Sequence, residues 1–60
     1  MRQRKFESIE AAEAYLEERG ELKFWGRIGH NAEICLFSYK HQGWEYTLYI
    51  YMDGLVQIRE

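Results

Sequence analysis

Gly43-Trp44-Glu45-Tyr46-Thr47-Leu48-Tyr49-Ile50-Tyr51-Met52-Asp53-Gly54 reads as a single β-strand over 44–52, closed at each end by a turn glycine. It is rich in the aromatic and β-branched residues that suit a pleated surface. Side chains alternate with period two, so Trp44, Tyr46, Leu48, Ile50 and Met52 point one way and Thr47, Tyr49 and Tyr51 the other. Both faces are therefore apolar. A strand with one wet face would show a polar row on that side, so this strand belongs in the middle of a sheet that is covered or used on both faces.

Working outward, three more strands are expected, at 21–28, 32–40 and 55–59, joined by Gly29-His30-Asn31, His41-Gln42-Gly43 and Met52-Asp53-Gly54. Each connection ends in Asn or Gly, which tolerate the positive φ of a three-residue hairpin loop. In the last hairpin that loop length pairs Leu48 with Ile58 and Ile50 with Val56, gathering the aliphatics on one face. Extended to the other hairpins, it brings Leu22, Phe24, Gly26, Ile28, Ala32, Ile34, Leu36 and Ser38 to that same face. Strands 21–28 and 55–59 become the sheet edges, guarded by Lys23, Arg27, Arg59 and Glu60.

Ahead of the strands, residues 8–19 read as a helix. Ser8 is the N-cap, Glu10 lies in the first turn, and Gly20 follows Arg19 as a left-handed C-terminal stop. Ile9, Ala12 and Leu16 form its apolar stripe, flanked by Tyr15. The expected fold is α+β: one N-terminal helix packed on a four-stranded antiparallel meander, in the order α-β-β-β-β, within one small domain over 1–60. A helix covers about 10 Å of a sheet roughly 14–19 Å wide, so part of the inner face needs Phe6, Trp44 or a second subunit to cover it. Gly26 is expected to let the helix come close.

The same register lists the outer face. Trp25, Phe37, Cys35, Tyr49 and Tyr51 form its middle, ringed by Lys23, Arg27, Glu33 and Arg59, with Glu33 opposite Arg27. One helix cannot cover two faces, so a contiguous aromatic patch is expected to be exposed, the mark of an interaction surface. Three uses compete for it. It serves as a homodimer interface packed sheet on sheet, or it docks a foreign protein as a small regulator or inhibitor through Trp, Tyr and Arg hot spots. The alternative is single-stranded nucleic acid, stacked on the aromatics with Lys23, Arg27 and Arg59 on phosphates and Arg2, Arg4 and Lys5 as a basic arm. A net charge of −2 weighs against that alternative.

Charge is unevenly distributed. Residues 1–5 hold Arg2, Arg4 and Lys5, residues 6–21 hold six glutamates against Arg19, and the remainder balances. The acid lies on the helix. No apolar run approaches the ~18 residues of a membrane span, and the basic start lacks the apolar segment of a secretory signal. The lone Cys35 excludes an intrachain disulfide and suits a reducing cytoplasm. His30 and His41 fall at opposite ends of one strand, about 30 Å apart, and are read as turn histidines. No catalytic constellation, metal set or phosphate loop is legible, so neither enzyme activity nor a cofactor is expected.

Overall fold

A computed structural model describes residues 2–59. A short first strand, β1 (Arg2–Lys5), leads into one helix, α1 (Ile9–Arg19), and four strands follow: β2 (Glu21–Ile28), β3 (Ile34–His41), β4 (Trp44–Tyr51) and β5 (Leu55–Arg59). All pairings are antiparallel, in the sheet order β1-β5-β4-β3-β2. The helix and the four meander strands are present as expected from sequence, except that β3 starts at Ile34 and not at 32; the sheet also has a fifth strand, which precedes the helix. Arg2-Gln3-Arg4-Lys5 carries no apolar alternation to announce a strand. It forms one because β5 would otherwise end the sheet with unpaired backbone groups. The edges are consequently β1 and β2, and β5 is interior; Glu60, expected to guard an edge, lies outside the described residues.

The β4–β5 hairpin keeps the expected register, with Leu48 opposite Ile58 and Ile50 opposite Val56. Its loop closes through a hydrogen bond from the Gly54 N–H to the Tyr51 carbonyl at 3.0 Å, with Gly54 at φ 93°. The β3–β4 hairpin departs from expectation. His41 pairs with Trp44, leaving a two-residue Gln42-Gly43 turn with positive φ at both positions, 52° and 82°. That is the turn whose twist matches the strands it joins. One residue fewer in the loop shifts the register by one, and a one-residue shift turns every β3 side chain to the other face.

Phe37 now lies opposite Leu48, and Cys35 opposite Ile50. The core is built from these, with Tyr39, Val56 and the helix residues Ala12 and Leu16. Strand β2 follows β3 as far as Phe24, opposite Phe37, and then bulges at Trp25 so that Gly26 pairs with Leu36. The bulge turns Arg27 to the helix side, opposite Cys35, and Ile28 to the outer side, opposite Ile34. Gly26 therefore faces away from α1, at φ 156°, and no helix approaches it. Five residues, Gly29 to Glu33, connect β2 to β3, with positive φ at Gly29 and Ala32. The Glu33 carboxylate accepts from the Asn31 N–H at 2.9 Å, closing this loop rather than pairing with Arg27.

Helix α1 crosses the inner face diagonally because it is anchored at two opposite corners. At its start, the Ser8 hydroxyl accepts from the Ala11 N–H at 3.1 Å, and the Phe6 N–H donates to the Gly54 carbonyl at 2.8 Å. At its end, the Tyr39 hydroxyl donates to the Leu16 carbonyl at 2.8 Å. The Nδ1 of His41 lies 2.8 Å from the Arg19 carbonyl, and since a carbonyl only accepts, Nδ1 carries the proton. His41 thus caps the helix. Gly20 is extended, at φ −172°, not left-handed as expected. It is glycine because a Cβ there would collide with the Lys40 carbonyl oxygen.

Burial raises the Tyr39 phenol above its ordinary value of 10.0, with Arg19 pulling it down less strongly. The unfolded phenol gives up its proton first, so the stability Tyr39 contributes is whole below pH 10 and is lost as pH climbs through the higher folded value. Tyr39→Phe is expected to cost about 1 kcal/mol at neutral pH in urea unfolding, with the gap to the native chain closing at alkaline pH. Gly54→Ala is expected to cost about 2–4 kcal/mol, because a Cβ at positive φ would press on the Phe6 carbonyl.

Candidate functional site

Among the described residues no element lies on the side of the sheet opposite α1. Three rows run across that outer face. Lys23, Ser38, Thr47 and Arg59 form one, and Gly26, Leu36, Tyr49 and Gln57 the next. Ile28, Ile34 and Tyr51 form the third. Trp25, the extra residue of the bulge, has no partner across the ladder and stands 63% exposed. It walls a shallow groove of about 490 Å³ shared with Glu21, Lys23, Ser38, Lys40 and Glu45. Leu36 and Thr47 line a smaller hollow on the other side of the same ring.

Of the nine residues expected on this face, five are there: Lys23, Trp25, Tyr49, Tyr51 and Arg59. Four are not, among them Glu33, which lies in the loop between β2 and β3. Phe37 and Cys35 are 4% and 3% exposed and face the helix, where Cys35 is a packing residue with a free thiol. Arg27 lies opposite Cys35 on that same side. Ile28, Ile34 and Leu36 take their places, making the patch more aliphatic than the sequence suggested. A signal for this was present. Gln-Gly is an X-Gly dipeptide of the kind that two-residue turns favour, and the register it sets collects Cys35, Phe37 and Tyr39 with Leu48 and Ile50.

Toward β5 the polar groups of the outer face are tied to one another. Arg59 donates to the Tyr49 hydroxyl at 3.1 Å, the Tyr51 hydroxyl donates to Gln57 Oε1 at 3.0 Å, and Gln57 Nε2 donates to Gln3 Oε1 at 3.2 Å. Lys23 Nζ stands 5.2 Å from the Trp25 ring centroid, within cation–π range. This arrangement holds rings and aliphatics in a fixed array. It contains no nucleophile beside a base and no carboxylate pair. Among the described residues no group of three or more His, Cys, Asp or Glu is placed to hold a metal ion, and no helix is long and apolar enough to cross a membrane.

The helix does not cover the whole inner face. Phe24 is 55% exposed although its ring meets Phe37 edge-on at 5.5 Å. Trp44, which the sequence offered as a cover, pairs with His41 at the end of the sheet and is 70% exposed. Phe6 does fold over the core, with its ring 5.2 Å from that of Tyr15.

Compared with protein-family models, curated proteins and solved structures, the chain matches none of them. The two sides of β3 can be separated by substitution. Phe37→Ala is expected to cost about 3–5 kcal/mol in chemical denaturation of the dilute chain, and Leu36→Ser under about 1 kcal/mol. The reverse ranking would require the three-residue β3–β4 loop.

Proposed function

We propose that this chain is a non-enzymatic binding module that works through the outer face of its sheet, and that the partner seated there is a second copy of the chain. The observation that carries the reading is a five-stranded sheet with α1 on one side and Trp25, Ile28, Ile34, Leu36, Tyr49 and Tyr51 on the other, with no helix over them among the described residues. Water against Trp25, Ile28, Ile34 and Leu36 is a standing cost that a matching apolar face would remove.

Size supports a second copy. The chain exposes 4452 Å², against about 4,200 Å² for a compact monomer of its mass. Five strands spaced about 4.8 Å apart present roughly 500 Å² of outer face, and two such faces reach the ~1,000 Å² total of a specific interface. Charge supports it too. The groove beside Trp25 carries Glu21 and Glu45 with Lys23 and Lys40, so a two-fold axis can set base against acid without any foreign complement. Two sheets packed this way would lie about 10 Å apart with their inner rows interdigitated. The free, buried thiol of Cys35 suits a reducing, cytoplasmic setting.

Single-stranded nucleic acid is the second reading, favoured by Lys23 over Trp25 and Arg59 over Tyr49. It loses the basic arm, because β1 pairs into the sheet and turns Arg4 to the helix side.

Sedimentation equilibrium over a wide concentration range, on the native chain, Tyr49→Glu and Leu36→Lys, tests the proposal. The expected result is a native dimer and two variants that keep their circular dichroism but sediment as monomers. A folded native monomer throughout would overturn the second-copy reading. Retention on an oligonucleotide column that weakens with salt would then favour nucleic acid, and specific capture of a cellular protein, lost in Trp25→Ala, a foreign partner.

A further inference from the structure

Helix α1 carries its charges on two flanks. Glu10, Glu13 and Glu17 stand to one side of the Ala12 and Leu16 stripe, where burial and then the neighbouring Glu17 and Glu10 hold the Glu13 carboxyl above its ordinary range. Tyr15, Glu18 and Arg19 stand to the other side, Tyr15 and Arg19 at the spacing of four that brings one side chain over the next and Glu18 paired with Arg19 at 3.3 Å. That second flank faces β1, whose pairing with β5 sets Arg4 beside Val56 on the helix side. A chain of net charge −2 thereby gathers cations along one seam.

The Arg19 guanidinium carbon lies 3.7 Å from the centroid of the Tyr15 ring. That of Arg4 lies 4.4 Å from the same centroid and 4.9 Å from that of Phe6. Both guanidiniums lie against one ring, so an anion that reaches both meets them past the edge of that ring, where the Tyr15 hydroxyl stands. Their donors are largely unspent. Arg4 makes no hydrogen bond and no ion pair with any described residue, and the Tyr15 hydroxyl makes no hydrogen bond among them either. Arg19 uses only Nη1, toward the Tyr15 carbonyl at 3.0 Å and Glu18 Oε2 at 3.3 Å, which leaves Nη2 and Nε. Aromatic faces hold both guanidiniums in place, so little freedom remains to be lost when an anion arrives.

We infer that this seam between α1 and β1 binds a phosphomonoester dianion through the guanidiniums of Arg4 and Arg19, with the Tyr15 hydroxyl at its edge. Two guanidiniums, one of them sharing only its Nη1 with the exposed Glu18 carboxylate, suit a dianion of about −2, and three terminal oxygens match three donor groups, whereas a carboxylate would fill one guanidinium fork and leave the other unneutralised. The seam lies on the opposite side of the sheet from the Trp25 face and does not depend on what that face binds.

The test is a two-dimensional NMR titration of the native chain with inorganic phosphate and with phenyl phosphate, at constant ionic strength, using chloride as the reference salt. Saturable shifts are expected at Arg4, Tyr15 and Arg19, with phenyl phosphate binding at least as tightly as inorganic phosphate. Arg4→Gln is expected to weaken binding about tenfold, and Arg4→Lys, which keeps the charge and loses the fork, by a comparable factor. Tyr15→Phe, which keeps the ring that stacks both guanidiniums, guards against a folding artefact and is expected to weaken binding about threefold. Shifts spread evenly over the lysines, shifts reproduced by chloride, or affinity unchanged in Arg4→Gln would overturn the site. Binding of inorganic phosphate without phenyl phosphate would overturn the ester as its ligand.

Discussion

The two-residue turn at Gln42 and Gly43 is the constraint on which the rest of the molecule depends. A strand has two faces and one period, so the length of a single loop decides which half of β3 joins the core. With both turn residues at positive φ, β3 gives Cys35, Phe37 and Tyr39 to the helix and leaves Ile34 and Leu36 outside. The bulge at Trp25 then repeats the choice one strand further on, turning Arg27 inward and Ile28 outward. Everything proposed for the outer face follows from these two local events.

A single short helix then has to serve a five-stranded sheet. It lies diagonally, held by the Gly54 carbonyl at one corner and by Tyr39 and His41 at the other. One rod cannot cover a sheet of this width, and Phe24 and Trp44 remain exposed on the inner face. The anchoring contacts are mostly to backbone carbonyls. They fix where the helix runs without adding much apolar burial, and a chain with so small a core gains from any partner that covers more of it.

Charge is sorted by the same geometry. Once β1 pairs with β5, the basic start of the chain ceases to be an arm and becomes one wall of a seam, with Tyr15 and Arg19 as the other. Glu10, Glu13 and Glu17 of α1 are turned to the far flank, and Glu18 pairs with Arg19 at its exposed end. A weakly acidic protein can therefore present a cationic strip, which net charge alone conceals.

Much of this was legible in the residues. The Ser8 cap, the helix stripe, the four meander strands, the β4–β5 register and an apolar face left without a cover all follow from local chemistry: hydroxyl caps, spacings of three and four, period two, and a sheet wider than a helix. Trp25, Tyr49 and Tyr51 could be placed on that face from parity alone. What the tertiary structure decided were events with no periodic signature: a loop shorter by one residue, a one-residue bulge, and a polar tetrapeptide drawn into the sheet by a neighbouring edge. Each depends on backbone hydrogen bonds between segments distant in sequence. Such bonds are indifferent to side-chain pattern, yet they determined that Phe37 and Cys35 would be buried and that Arg4 would meet Tyr15.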